Sequence, residues 1–563
     1  MPWTACSKRT CGNDGPSPSH RQRKVPLSTP LALADINHPR PMPAPGFGAQ
    51  SMTTTRSILI TVLLAAIVFD RLFWHQGIGI NLTLFAVLVL GILLADHGWR
   101  HWSTAAKWSA GGAVISAVMV TVHGSIIAII GAFATLFTCA AFVLSPRVRT
   151  TTSALISWAA NLFISPIGLV SAVGETLPST PSIRKGWRWS RITIVPLIVL
   201  FAFFQLYRGG NSKFEAMTAG FMDGFGELLS DFFEEVFTPH TLFFLFAIAF
   251  AASLLMRSIG GWLADHESTL SDAMRRVRLK RPHWKMPLGM AALDRERRMA
   301  VVLLVLVNAL LLVVNAIDIH WMWFGFELEP GMSLKEFVHE GTWLLIVSIL
   351  LSMAILLHQF RGNLNFHPNN RTLLVLASAW LVQNFILGIS VFLRNYHYIS
   401  FHGLAYKRIG VIVFLLLMLV GLVTLYVKIR QRKTFFYLLR MNAWAAFVVL
   451  VGLGTIDWDS TIVKFNVAHW NKGEIDVDNY LAMSDKVLPL LYADKDRVRE
   501  QMSKHMENEV RWVTQLDPEV FNIELDRRRE LFMQRYEDQD WQSWTWADER
   551  THRALLDINM AKD

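Results

Sequence analysis

Hydrocarbon offers a polar side chain no partner except another protein group, so chemistry in this chain is sought first among polar residues inside apolar runs. Asn308 and Asn315 lie seven apart, two turns along one helical face, and Gln383 and Asn384 stand together in the middle of another apolar run. They are expected to face a bundle interior, either as interhelical hydrogen-bond glue or as the lining of a substrate or ion path. A short connection from Arg394 to Arg408, reading RNYHYISFHGLAYKR and expected on the external side, interleaves Arg394, Lys407 and Arg408 with Tyr396, Tyr398 and Tyr406, residues suited to a lipid headgroup layer. Cations there could hold a lipid phosphate or another anion, and a guanidinium does so through two parallel hydrogen bonds. Asn308, Asn315, Gln383, Asn384, Arg394, Tyr398 and Arg408 are therefore read as an anionic-ligand site. On this reading Arg394→Lys, which loses the planar fork, impairs activity nearly as much as Arg394→Ala, with expression intact. The plainer alternative is a pair of helix ends whose long side chains reach the interface.

Acid–base groups are fewer. His339, Glu340, His397 and His402 would share one side of a membrane and are the residues to expect in an enzyme acting on envelope lipid or glycan. His320 and Asp318 add further ligand types, but no spacing selects an ion, and neither a metal nor another cofactor is expected. His266-Glu267 and His339-Glu340 each lack the second histidine of a zinc-protease helix, and no phosphate-binding glycine loop is present. Cys6, Cys11 and Cys139 cannot make a disulfide framework.

Positioning these groups is the work of apolar helices. The chain has 563 residues, 52% hydrophobic and 17% charged, which excludes an ordinary soluble protein and implies a bilayer as its partner. Its net charge of +10 is read as loop cations on a cytoplasmic side, not as a nucleic-acid surface. Apolar runs near the ~20 residues needed to cross hydrocarbon recur at 57–74, 78–95, 107–122, 124–144, 152–173, 191–207, 240–257, 299–317, 340–358, 372–392, 409–427 and 439–455. Basic residues flank the fifth run on both sides, Arg147 and Arg149 before it and Arg184 to Arg191 after it, whereas a crossing should separate basic from neutral flanks. With Asn161 and Ser165-Pro166 inside it, that run is read as a re-entrant or broken helix.

Residues 1–51 are rich in Pro, Ser and Arg and are expected to be a disordered extension, with Met52 as the initiating residue. Phe214, Phe221, Phe225, Leu228, Phe232 and Val236 share one helical face opposite Asp223, Glu227, Asp231 and Glu234, the pattern of an interfacial helix. After residue 455 the chain turns polar, with helical periodicity to the end. Trp541, Trp544 and Trp546 are read as closing a small core there in preference to forming an interfacial aromatic belt.

Asn315 to Asp318, His339 to Thr342, Gln383-Asn384, Arg394, Tyr398 and His402 to Arg408, followed by Ile456-Asp457-Trp458-Asp459, Lys464 to Val467, Asp478 to Leu481 and Ser484-Asp485, resemble a known pattern. It is that of uncharacterised bacterial membrane proteins catalogued as domain of unknown function 4173 and its relative 4153. His402, Ala405 to Lys407 and Asp457 depart from it. The resemblance spans about Asn308 to Leu490 and implies a membrane bundle; the family has no settled activity, so no catalytic residue is carried over.

The expectation is therefore an all-α polytopic bundle of about eleven crossings plus one re-entrant or broken helix. It comprises an extension at 1–51, a membrane domain at 52–455 and an extracytoplasmic helical domain at 456–563. The protein is placed in a bacterial inner membrane with its N-terminus cytoplasmic. The leading functional reading is binding or transport of a small or lipidic anion. The competitors are an envelope lipid- or glycan-modifying enzyme, and a non-catalytic scaffold whose C-terminal domain meets another envelope protein.

Overall fold

The computed structural model describes residues 52–176, single residues scattered between 193 and 218, and residues 238–257, 261–276, 290–324, 334–469, 476–507 and 516–560. The extension at 1–51, most of the run at 191–207 and nearly all of the proposed interfacial helix lie outside the described residues. The other eleven apolar runs are helices: α1 (Met52–Phe73), α2 (Ile80–His97), α3 (Thr104–His123), α4 (Ile126–Leu144), α5 (Thr151–Thr176), α6 (Pro239–Leu255), α8 (Met290–Asp318), α9 (Leu334–Gln359), α10 (Arg371–His402), α11 (Tyr406–Arg430) and α12 (Phe435–Gly454). A short helix, α7 (Trp262–Thr269), follows α6. Among the described residues there is no strand, and nine helices are long and apolar enough to cross a membrane, α1 and the 17-residue α6 being the other two.

Local signals set the helix ends. Ser103, Ser125 and Thr434 each accept a hydrogen bond from a backbone N–H in the first turn of the helix that follows, and Gly124, at φ +57°, stops α3 in the left-handed conformation. Small side chains let backbones approach where lipid supplies no hydrophobic drive. On α3 they are Ala106, Ala110, Ala113 and Ala117, and on α4 Ala128, Gly131 and Ala132; these two helices pack along their length. One core joins α1 to α6, another joins α8 to α11, and α12 packs on both.

The break expected at Ser165-Pro166 is absent. α5 runs unbroken for 26 residues, antiparallel to α6, because the polar residues that suggested a break have partners on α6. Asn161 Nδ2 donates to the carbonyls of Ser253 and Met256 at 2.9 and 3.0 Å, and Ser165 Oγ to that of Ala249 at 3.4 Å. Pro166 removes one N–H from the middle of the helix, and these contacts hold the turn around it.

Two polar faces cap the bundle. On the first, Asp272 lies between Arg149 at 3.0 Å and Arg440 at 2.6 Å, tying α5 and α12 to the segment after α7. Lys428, 2% exposed, donates to the carbonyl of Phe360 at 2.9 Å and joins the ends of α9 and α11 there. The second face carries the polar C-terminal helices: α13 (Trp458–His469), α14 (Val477–Leu481), α15 (Leu488–Ala493), α16 (Lys495–Glu507), α17 (Pro518–Asp538) and α18 (Trp546–Met560). They enclose their own core around Tyr480, Leu491, Phe521 and Phe532, to which Ile409 of α11 is added.

Of the three tryptophans after α17, Trp541 and Trp546 do not close that core, being 61% and 44% exposed, while Trp544 is half-buried. Their segment is pinned to the turn between α1 and α2. Gln76 Nε2 donates to Asp540 at 2.7 Å, Gly77 N to Ser543 Oγ at 2.8 Å, and Ile80 N to the carbonyl of Trp544 at 3.0 Å. Gly79 permits this approach: a Cβ there would stand 2.4 Å from the backbone oxygen of Ser543.

Candidate functional site

Three of the amides expected inside the bundle meet between α8 and α10. Asn308 Nδ2 donates to the carbonyls of Leu304 at 2.6 Å and Leu376 at 3.1 Å, Gln383 Nε2 to Asn308 Oδ1 at 2.8 Å, and Asn315 Nδ2 to the carbonyl of Gln383 at 3.1 Å. Asn384 is fully buried and donates to the carbonyl of Trp380 in its own helix. Carbonyls only accept, so they determine which way Asn308, Asn315 and Asn384 are turned. What these amides leave buried without a partner among the described residues is oxygen: Asn315 Oδ1, Gln383 Oε1 and Asn384 Oδ1. A row of acceptor oxygens does not attract an anion; the amides sew α8 to α10.

The expected external connection at Arg394 to Arg408 is mostly helix. α10 continues to His402 and the turn is only Gly403 to Ala405. Arg394 therefore lies inside the bundle, 7% exposed, with Nη2 at 2.5 Å from Oδ1 of Asp318, itself 5% exposed, at the end of α8. Arg408 turns back on α10: its Nη1 donates to the carbonyls of His402 and Gly403, and its guanidinium stacks over the Tyr398 ring at 4.7 Å. An arginine placed on the last carbonyls of a helix serves as a cap. The sequence set thus divides into an amide seam, a buried ion pair and a helix cap.

Of the acid–base candidates, only His397 and His402 have described side chains. The side chains of His339 and Glu340 lie outside the described residues, His320 is exposed, and His402 packs on Tyr398 with ring centroids 4.6 Å apart. His397 stands on the same helix, five residues before His402. Among the described residues no three His, Cys, Asp or Glu side chains form a metal-sized group.

A second polar cluster, which the sequence reading missed, joins the bundle to the C-terminal helices. Lys486, 9% exposed, reaches Asp457 Oδ1 at 3.2 Å, Asp459 Oδ2 at 3.7 Å and the carbonyl of His123 at 3.0 Å. Tyr406 OH donates to Asp459 Oδ1 at 2.5 Å, and Ser484 donates to the other oxygen. Asn466 clamps the turn after α10, accepting from Leu404 N at 2.5 Å and donating to Leu404 O at 2.9 Å. Gly403, at φ +76°, leaves room for that clamp: a Cβ there would lie 2.6 Å from Asn466 Oδ1. Burial works to raise the Asp457 carboxyl, but the Lys486 charge and hydrogen bonds from Ser460 outweigh it and hold the group below its ordinary value. The signal in the sequence was Asp457-Trp458-Asp459 immediately after the last apolar run, an acidic pair whose counter-charge lies 27 residues further on.

Beside this cluster lies a cavity of about 320 Å³, within the range of small-ligand sites. His123, Asp457, Lys464, Lys486, Arg550 and Thr551 are in its wall. Lys486 is committed to the aspartates, whereas Lys464 and Arg550 are exposed and have no ion pair among the described residues. Lys464 and Arg550 therefore add two cations without a carboxylate of their own to the wall beside the Lys486–aspartate cluster, an arrangement that attracts an anion.

A family model described as a domain of unknown function (DUF4153) matches residues 57–493, more than three quarters of the chain. Neither a curated protein nor a solved structure matches it.

Proposed function

The chain belongs to the family of the domain of unknown function DUF4153, and from that premise we propose a multi-pass protein of the bacterial inner membrane that binds a small or lipidic anion. The binding site in this proposal is the cavity under the C-terminal helices, with Lys464 and Arg550 as the cations that meet the ligand. The observation that carries the reading is the surplus of positive charge in an open cavity of ligand size. In this proposal Asn308, Asn315 and Gln383 hold the α8–α10 wall of the bundle, Asn384 bonds within α10, and Arg394, Tyr398 and Arg408 fix the end of α10.

Thermal unfolding of the detergent-purified protein tests it. Inorganic phosphate at millimolar concentration is expected to raise the midpoint of the wild type and not that of Lys464→Gln/Arg550→Gln, two exposed positions where neutral substitutions leave the fold intact. A shift of equal size in both proteins would move the site elsewhere.

The orientation proposed has the first face in the cytoplasm. Its support is the gathering there of Arg149, Lys428, Lys433 and Arg440, as cytoplasmic loops of membrane proteins are enriched in Lys and Arg. An alkaline phosphatase fusion after Asp563 is then expected to be active, and a fluorescent cytoplasmic reporter at the same site dark; the opposite pair of results inverts the orientation.

A further inference from the structure

We infer that the anion taken by this cavity is the phosphate of an anionic membrane lipid, entering sideways from the bilayer. The inference rests on the reading of the cavity as an anion site and adds the source of the anion.

The walls of the cavity are where membrane helices end. His123 is the last residue of α3, and Asp457 follows the end of α12 by three residues. The opposite wall is one face of α18, with Ala547, Arg550, Thr551 and Ala554 at helical spacing. Trp546 directly precedes that face and Trp541 lies just before it in the chain, both exposed. Because their segment is bonded to Gln76, Gly77 and Ile80, the two indoles are level with the ends of α1 and α2. That is the headgroup depth, where an indole keeps its ring in apolar surroundings and its N–H wet. The cavity mouth is thereby held at the height of lipid phosphates.

An apolar path for acyl chains begins beside it. Ile126 is 75% and Ile130 54% exposed, one turn apart on α4, and the first stands three residues beyond His123. Ile456, 38% exposed, adjoins Asp457. A free anion would have no use for these surfaces; a lipid lays its chains along them while its phosphate meets Arg550 and Lys464.

The test uses the full-length protein, delipidated in detergent and reconstituted into nanodiscs of phosphatidylcholine with or without phosphatidylglycerol, with bound lipid counted by native mass spectrometry. Inorganic phosphate and glycerol phosphate are titrated in parallel by thermal shift. Wild type is expected to retain phosphatidylglycerol at least tenfold more tightly than phosphatidylcholine. Lys464→Gln/Arg550→Gln is expected to lose that preference. Trp541→Ser/Trp546→Ser is expected to weaken lipid retention and leave the phosphate shift unchanged. Binding of inorganic phosphate with no preference for phosphatidylglycerol overturns the lipid source and leaves the anion site standing. Failure of phosphate and lipid alike overturns both. Undiminished phosphatidylglycerol retention by the Lys464/Arg550 variant overturns the placement in this cavity.

Discussion

Arg394→Ala is expected to destabilise the protein by about 3–5 kcal/mol, the cost of leaving one member of a buried ion pair without its partner. Asp318 is 5% exposed, and Arg394 lies against it at 2.5 Å between the end of α8 and the start of α9, where a Cβ on Gly341 would come within 3.0 Å of Nη1. Removing the guanidinium leaves the Asp318 carboxylate inside a helical bundle without that counter-charge. Toward Asp318 the contact runs from Nη2 to Oδ1, and what that carboxylate requires is a positive charge beside it. Arg394→Lys, which keeps a positive charge opposite Asp318, is accordingly expected to lose less stability than Arg394→Ala. Removing both charges, as Arg394→Met with Asp318→Leu, is expected to recover most of the loss, since a buried pair replaced by apolar groups is often neutral. Unfolding midpoints of the four proteins in detergent decide this. An unchanged Arg394→Ala, or a double variant no better than the single one, would show that the pair does not hold α8 to α10.

Lys486→Met is expected to release the C-terminal helices from the end of α3. That ammonium is the cation between Asp457 and Asp459 and also the donor to the carbonyl of His123, so its loss leaves two largely buried carboxylates facing each other across a turn. A loss of about 3 kcal/mol is the expected scale. It should be read as protease sensitivity of the segment beyond Thr455 with the membrane helices still intact. The same junction carries an acid dependence whose sign follows from Asp457. Its carboxyl is held below the ordinary value in the folded protein, so the stability it contributes is complete above the unfolded carboxylate pKa of about 3.9. That contribution falls as pH drops through the depressed folded value. Protection of the C-terminal helices in the wild type is thus expected to persist to pH 4 and fall below it. Protection that is lost already near neutrality would point to a different titrating group.

Eleven of the twelve apolar runs are helices among the described residues, because the information for a membrane helix is local. Some twenty adjacent side chains set the transfer free energy of their own segment, and a Ser, Thr or Gly at its edge sets where it stops. The pairing of motif residues had no such local record. Asn161 looked like a break because its carbonyl partners, Ser253 and Met256, lie more than ninety residues away. Arg394 looked external because the counter-charge that makes its burial tolerable is Asp318, 76 residues earlier, and the hydropathy of a window contains no term for a distant partner. The cavity was invisible for the same reason: its wall draws on His123, Lys464, Lys486 and Arg550, which no spacing rule connects. Composition and periodicity thus determined that this chain is a bundle of membrane helices with a polar C-terminal part. Tertiary packing alone decided which buried charges are paired and which cations stay open to a ligand, because the free energy of a buried charge depends on what stands within a few ångströms of it in space and not along the chain.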